Sequence, residues 1–333
     1  MHARSLLSGA AILALAAGLA FVPARSVARQ AGAQDAPSQG TIRVGVGLVN
    51  LYATVRDKHK GIVANLEQKN FHVYEDNVEQ KIAFFSREKT LPITLGMLID
   101  TSGSEQFMLD AEKAAAVQFL SEVIKQKDEA MVISFDLDAD LLSDWTSDMG
   151  ELTRAIRRAQ INTGGGGGPV TPGPLPTSGQ KGTIFYDAVY AACHDKLSSE
   201  AGRKALVVLT DAEDNGSQLK LADAIEAAQR SDAVVHVLLI ADRSAGFSFG
   251  RGGDSGVASR LAGETGGRMI DVGNDKKMRE AFDQISEELR SEYVIGYYPS
   301  NDKHDGTFRK VRVEVDDKDD KVLSRKGYYA PSN

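Results

Sequence analysis

From Leu91 to Arg290, short apolar runs alternate with segments of helical period, and no other feature of the chain constrains its fold as tightly. The runs are Ile93–Ile99, Ala130–Phe135, Lys204–Thr210 and Ala233–Ile240, followed by a shorter one at Arg268–Val272. Continuous apolar runs of this length suit strands buried on both faces. Between them, Ser104–Lys127, Asp148–Gln160, Ile184–Ser199, Gln218–Ser231, Val257–Gly263 and Asp275–Arg290 read as helices. In the first of these, Phe107, Ala111, Ala114, Ala115, Phe119 and Val123 are expected to share the buried face. Asp138–Trp145 reads as the hairpin partner of the preceding strand. Strands that alternate with helices imply a mostly parallel sheet covered on both sides.

The flanks have a different period. Before the alternation, Thr41–Val46, Val49–Val55, Phe71–Glu75 and Gln80–Phe85 repeat at every second residue, with turns at Asp57–Gly61 and Asp76-Asn77. After it, Tyr293–Tyr298, Phe308–Val315 and Val322–Tyr329 do the same. Neither flank has enough strands for an independent sheet. Residues 41–88 and 291–331 are therefore expected to pair into one small antiparallel β-sandwich, with the α/β domain of residues 91–290 inserted in it. The acidic run Asp316–Lys321 reads as a solvated turn.

Ahead of all this, Arg4 precedes an apolar stretch, Leu6–Val22, which Pro23 ends. Ser26-Val27-Ala28 then offers small residues at a cleavage site. Residues 1–28 are expected to be a secretory signal and 29–40 a polar, disordered leader. The chain is thus read as exported, periplasmic or secreted, with no stable membrane span after cleavage. Its single cysteine, Cys193, has no partner within the chain for a disulfide and is expected to be a buried thiol. A net charge of −7 excludes a strongly basic surface, and no nucleic-acid partner is expected.

The strand Leu95–Ile99 stops at Asp100, and Ser102 and Ser104 follow at alternate positions. Ligands of open α/β sheets sit beyond the carboxyl ends of the strands, which is where this aspartate falls. Helix capping accounts for one serine but not for the trio. Asp211 closes a second strand, in LVVLTDAEDN, and Thr183 precedes a helix in KGTIFYDA. Two carboxylates and three hydroxyls form a hard oxygen set suited to Mg2+, and Mn2+ and Ca2+ are not separable from it without distances. A cation so held, with an open position, favours an anionic ligand such as a partner's Asp or Glu side chain.

Asp100-x-Ser102-x-Ser104, then Thr183, then Asp211, in α/β order, resembles the metal-ion-dependent adhesion site of von Willebrand factor type A domains. The flanks KNFHVYEDNVEQKIAFFS and LRSEYVIGYYPSN…GTFRKVRVEV…RKGYYAP resemble an exported bacterial von Willebrand type A-related family of Acidobacterial type. The resemblance implies a doubly wound, Rossmann-like, six-stranded domain with one antiparallel edge strand. It implies divalent-cation binding and adhesion-type protein–protein interaction rather than catalysis. It also marks Asp100, Ser102, Ser104, Thr183 and Asp211 as metal ligands. Two positions depart from the pattern. Ala212 stands where glycine is usual, at a cost of order 1 kcal/mol if its φ is positive. Glu105 stands where methionine is common, and is expected either to add negative charge at the rim or to point away along the helix.

Other readings are weaker. Gly246-Phe247-Ser248-Phe249-Gly250 matches G-x-S-x-G, with Asp271 and His304 following in triad order, but a strand does not run straight into it nor a helix straight out. A Mg2+-dependent phosphatase with Asp100 as nucleophile would usually carry a second acid where Ser102 stands. Asp136-x-Asp138-x-Asp140 has Leu141 where a calcium loop needs glycine. A structural envelope module with a vestigial metal site keeps every ligand oxygen unused. The glycine-rich loops Thr163–Gly182 and Asp242–Gly256 can rim the site, read either as binding surfaces or as disordered chain, while Asp136 and Asp138 read first as a solvated hairpin and second as part of that rim.

Overall fold

The computed structural model describes residues 47–87, 92–161, 182–240 and 254–332. The expected signal and leader, the expected strand Thr41–Val46, nearly all of both glycine-rich loops and the G-x-S-x-G stretch lie outside the described residues. The amino-terminal strands are β1 (Val49–Arg56), β2 (Phe71–Glu75), β3 (Val78–Gln80) and β4 (Ile82–Ser86). The central block runs β5 (Ile93–Asp100), α1 (Leu109–Val123), β6 (Glu129–Phe135), β7 (Ala139–Thr146), α2 (Met149–Arg158), α3 (Phe185–Ala191), β8 (Arg203–Thr210), α4 (Leu221–Arg230), β9 (Ala233–Leu239), α5 (Ser255–Thr265), β10 (Met269–Asp271) and α6 (Asp275–Arg290). The carboxyl-terminal strands are β11 (Tyr293–Tyr297), β12 (Phe308–Val315), β13 (Lys321–Leu323) and β14 (Gly327–Tyr329).

The central sheet has the order β10-β9-β8-β5-β6-β7, parallel except for the edge strand β7. Every residue of β5 is buried, as a strand covered on both faces requires. α1, α2 and α6 pack on one face, through Leu120, Leu152 and Ile285 among others. α3, α4 and α5 pack on the other, through Phe185, Ala228 and Leu261. Cys193 lies in that second layer, and burial pushes its thiol up to about 12, so it stays protonated and inert. The fold class expected from the alternation is the one observed.

The flanking strands form two four-stranded antiparallel sheets, β13-β1-β11-β4 and β14-β12-β2-β3, each built from both ends of the chain. Leu51, Val55, Tyr293 and Ile295 from one meet Val73, Val311 and Val313 from the other. β12 alternates exposed and buried residues without a break. Two expected strands prove to be corners. Gln80–Phe85 divides at Lys81, so that β3 and β4 join different sheets. Val322–Tyr329 divides between β13 and β14, and the crossing is held by Arg325, which donates to the Asn50 carbonyl at 2.7 Å. Alternation persists through both corners, so period alone does not reveal the change of sheet.

A buried ionic cluster joins the sandwich to the central block. Glu288 of α6 accepts from Arg56 of β1 at 2.9 Å and from Arg268 at 2.6 Å. Arg203, opening β8, pairs with Glu292 at 3.3 Å. Burial raises the Glu292 carboxyl to about 7 against the pull of Arg203. A carboxyl whose folded pKa is raised contributes stability below its unfolded pKa, and that contribution is lost as pH rises through the folded value. The wild type is therefore expected to lose, between about pH 4.5 and 7, on the order of 3 kcal/mol that Glu292→Gln does not lose over the same range. Denaturant unfolding of both proteins across that range measures the difference in slope, and parallel curves would contradict the assignment.

Candidate metal centre

The chain leaves β5 for β6 on one side and, after β7, returns to β8 on the other. The carboxyl ends of β5 and β8 thus flank the point where the strand order reverses, the usual crevice of such sheets. Asp100 ends β5 and Asp211 follows β8 directly.

Asp100 is fully buried. Its Oδ1 accepts the Ser102 amide at 2.9 Å, and its Oδ2 accepts the Thr210 hydroxyl at 2.6 Å. Burial nonetheless raises its pKa to about 7, with the Thr210 and Ser102 hydrogen bonds and the Asp211 charge as smaller, opposed influences. Ser102 and Ser104 face one another, their hydroxyls 2.9 Å apart. Asp211 is 9% exposed and accepts the Glu213 amide at 2.9 Å. Thr183 lies on the adjoining loop. Its carbonyl accepts from Asn215 and Gly216, and the next amide, Ile184, donates to Asp136 at the end of β6. Gly182, at φ 134, presses on the Asn215 backbone so closely that a Cβ would stand 2.8 Å from it. Asp214 and Asp187 clasp the same loop: Asp214 takes the Tyr186 amide at 3.0 Å, and Asp187 takes the Leu219 amide at 2.9 Å.

Asp100, Ser102, Ser104 and Asp211 thus form one cluster, and Thr183 is tied through its backbone to Asn215 and Gly216 in the loop after β8. Two further residues join that sequence reasoning did not assign. Thr210 links Asp100 to the Ala212 amide, which donates to its hydroxyl at 2.9 Å. Glu105 neither sits at the rim nor runs along the helix. It is 1% exposed, and a carboxylate oxygen of each of Asp100, Glu105 and Asp211 lies within 4.8 Å of the other two.

The reason is local. Residues Gly103–Phe107 form a turn of 3-10 helix before α1 begins, which rotates the entry. Phe107, expected in the core, is 76% exposed, and Ala114 is exposed with it. Ala115, Phe119 and Val123 are buried as expected, and Leu109, Glu112, Ala116 and Leu120 share the buried face with them. That spacing, extended backwards by a turn, reaches Glu105, and it was the available signal; two glutamates on the stripe disguised it as a solvent face. Burial raises the pKa of both Glu105 and Glu112, each further raised by the charges of Asp100 and Asp211.

Ala212 has φ 59, in the left-handed region, so the condition attached to its replacing glycine is met. Ala212→Gly is expected to hold stability level or raise it by up to about 1 kcal/mol, as relief of strain outweighs the lost methyl. Ala205→Gly, in β8, should instead cost stability. Thermal unfolding of the two variants checks this, and equal losses would contradict it.

These residues fit a hard cation. Every donor is oxygen, the charges acting on Glu105 among the described residues are acidic, and Glu105 Oε2 is buried without a hydrogen-bond partner among them. Oxygens bound at about 2.1–2.5 Å to one ion stand no more than about 5 Å apart, which matches the observed spacing.

Residues 95–213 match the family model described as von Willebrand factor type A domain. Among solved structures, the chain is similar to BatB from Bacteroides thetaiotaomicron, at 18% identity over 60% of this chain and 100% of that one, with a TM-score of 0.45. It is similar to a von Willebrand factor type A protein from Catenulispora acidiphila, at 12% identity over 85% and 74%, TM-score 0.47. It also resembles the vWF domain of the type V pili tip protein Mfa5 from Porphyromonas gingivalis, at 13% identity over 60% and 95%, TM-score 0.43. No curated protein matches.

Proposed function

We propose, from the premise that residues 95–213 belong to the von Willebrand factor type A domain family, that this protein is an exported, cation-dependent binding module. The observation that supports the reading most is the buried acidic cluster at the switch point of the sheet, Asp100 and Asp211 with Glu105. Asp100, Ser102, Ser104, Thr183 and Asp211 would hold Mg2+, or Mn2+ or Ca2+ in its place. The cation would supply a positive centre for an Asp or Glu side chain of a partner protein.

The chain's own residues do the rest. Thr210 and the Ser102 amide orient Asp100. The Asp214 and Asp187 clasps hold the loop that carries Thr183. Phe107, exposed on the turn that carries Ser104, and Leu137, exposed on the turn after β6, offer apolar contact at the same end of the sheet. The flanking sandwich, residues 41–88 and 291–331, supports the domain. Residues 1–28 direct export and are removed. Among the described residues no helix is long and apolar enough to cross a membrane. The kinship with the Acidobacterial-type branch rests on the flanking motifs.

The test is an array of peptides with Asp or Glu at their centre, paired with their Asn or Gln counterparts. Probing with the wild type in Mg2+, in chelator, and with Asp100→Ala should show retention that needs carboxylate, cation and Asp100 together. Retention unaffected by chelator and by Asp100→Ala would overturn the proposal.

A further inference from the structure

The geometry points to Glu105 as a third carboxylate ligand of the cation, one that the Asp-x-Ser-x-Ser pattern does not include. This rests on the proposed cation site and specifies its charge. Glu105 is 1% exposed, and one of its oxygens, Oε2, has no hydrogen-bond partner. A carboxylate oxygen of Glu105 stands within 4.8 Å of one from Asp100 and one from Asp211. Behind it, Glu112 is fully buried on the next turns of the helix, and neither of its oxygens makes a well-formed hydrogen bond. A buried acid without a partner is costly, and folded chains retain one where something else compensates it. Among the described residues the charges acting on Glu105 are all acidic, so besides a proton shared with Glu112 the compensation its neighbourhood offers is a cation held with Asp100 and Asp211.

The consequence is a donor set of charge −3 in place of −2. A divalent ion leaves such a set one charge negative, whereas a trivalent ion neutralises it. The wild type should therefore favour a trivalent hard ion over a divalent one more strongly than a site with two carboxylates. Glu105→Gln removes the charge and keeps the shape. Glu105→Asp keeps the charge and withdraws the oxygens by one methylene.

The experiment titrates the purified protein with Tb3+, followed by sensitised luminescence, and with Mn2+, followed by calorimetry. Wild type, Glu105→Gln, Glu105→Asp and Asp100→Ala are compared, and circular dichroism confirms folding. Direct ligation predicts that Glu105→Gln lowers Tb3+ affinity at least about tenfold and Mn2+ affinity by less, and that Glu105→Asp weakens both. If Asp100→Ala abolishes binding while both Glu105 variants bind as the wild type does, Glu105 is not a ligand and the cation site itself stands. If the wild type binds neither ion, the cation site and this inference fall together. Should Glu105→Gln not fold, the shortened Glu105→Asp decides: wild-type affinities for both ions would overturn the assignment.

Discussion

Arg309→Ala is expected to destabilise the protein by about 3–5 kcal/mol, because it strands a buried carboxylate inside the sandwich. Arg309 is 1% exposed and Glu75 2%. The guanidinium meets Glu75 at 3.4 Å and donates to the Asn301 and Lys303 carbonyls at 2.8 and 2.7 Å. The Tyr297 and Tyr328 hydroxyls each donate to Glu75 Oε2 at 2.8 Å. Burial and the Glu75 charge raise both tyrosines above their ordinary pKa, so they remain donors. The cluster ties β2, β11, β12 and β14 together, and hence both sheets and both ends of the chain. An Arg309→Met, Glu75→Gln double variant removes both charges and should recover part of the loss. Denaturant titration measures it. A single-variant loss below about 1 kcal/mol would show that the pair is not the clamp described.

The second large effect is stabilisation by cation. An ion that binds only the folded state at about a hundred times its dissociation constant adds about 2.7 kcal/mol, which for a protein of this size raises Tm by about 4 °C. Mg2+ or Mn2+ should produce that shift in the wild type and none in Asp211→Ala. The buried acids make the apo protein the weaker state, since Asp100, Glu105 and Glu112 all have pKa values raised by desolvation. Differential scanning fluorimetry with and without chelator measures the shift. An equal shift in Asp211→Ala would place the responsible site elsewhere.

Much of this architecture is legible in residue order. Ile93–Ile99 is apolar but for Thr94 and Gly96, which suits a strand covered on both faces, and Asp100 marks its end. The bracketing β segments could be paired because neither flank forms a sheet alone. The two corners were not legible. At Lys81 and at Ser324–Lys326 the chain changes sheet while side chains keep alternating, and sheet membership is a long-range property that a period of two does not encode. The first helix was legible in part, with Ala115, Phe119 and Val123 buried as expected. A short 3-10 turn rotates its entry, and Phe107 turns outward while Glu105 and Glu112 turn inward. Tertiary context overrode polarity there, and the site is where local rules are most often broken. Ala212 was legible only as a departure from the glycine that the resemblance implies, with positive φ left conditional, and the chain adopts φ 59 there with alanine.

The most direct measurement is isothermal titration of Mg2+ and of Mn2+ into the folded protein, alongside Asp100→Ala and Asp211→Ala. A cation site formed by the ends of β5 and β8 predicts one saturable binding event in the wild type, lost in both variants. Binding that survives in both variants, or neither heat nor thermal shift with either ion in the wild type, would contradict it.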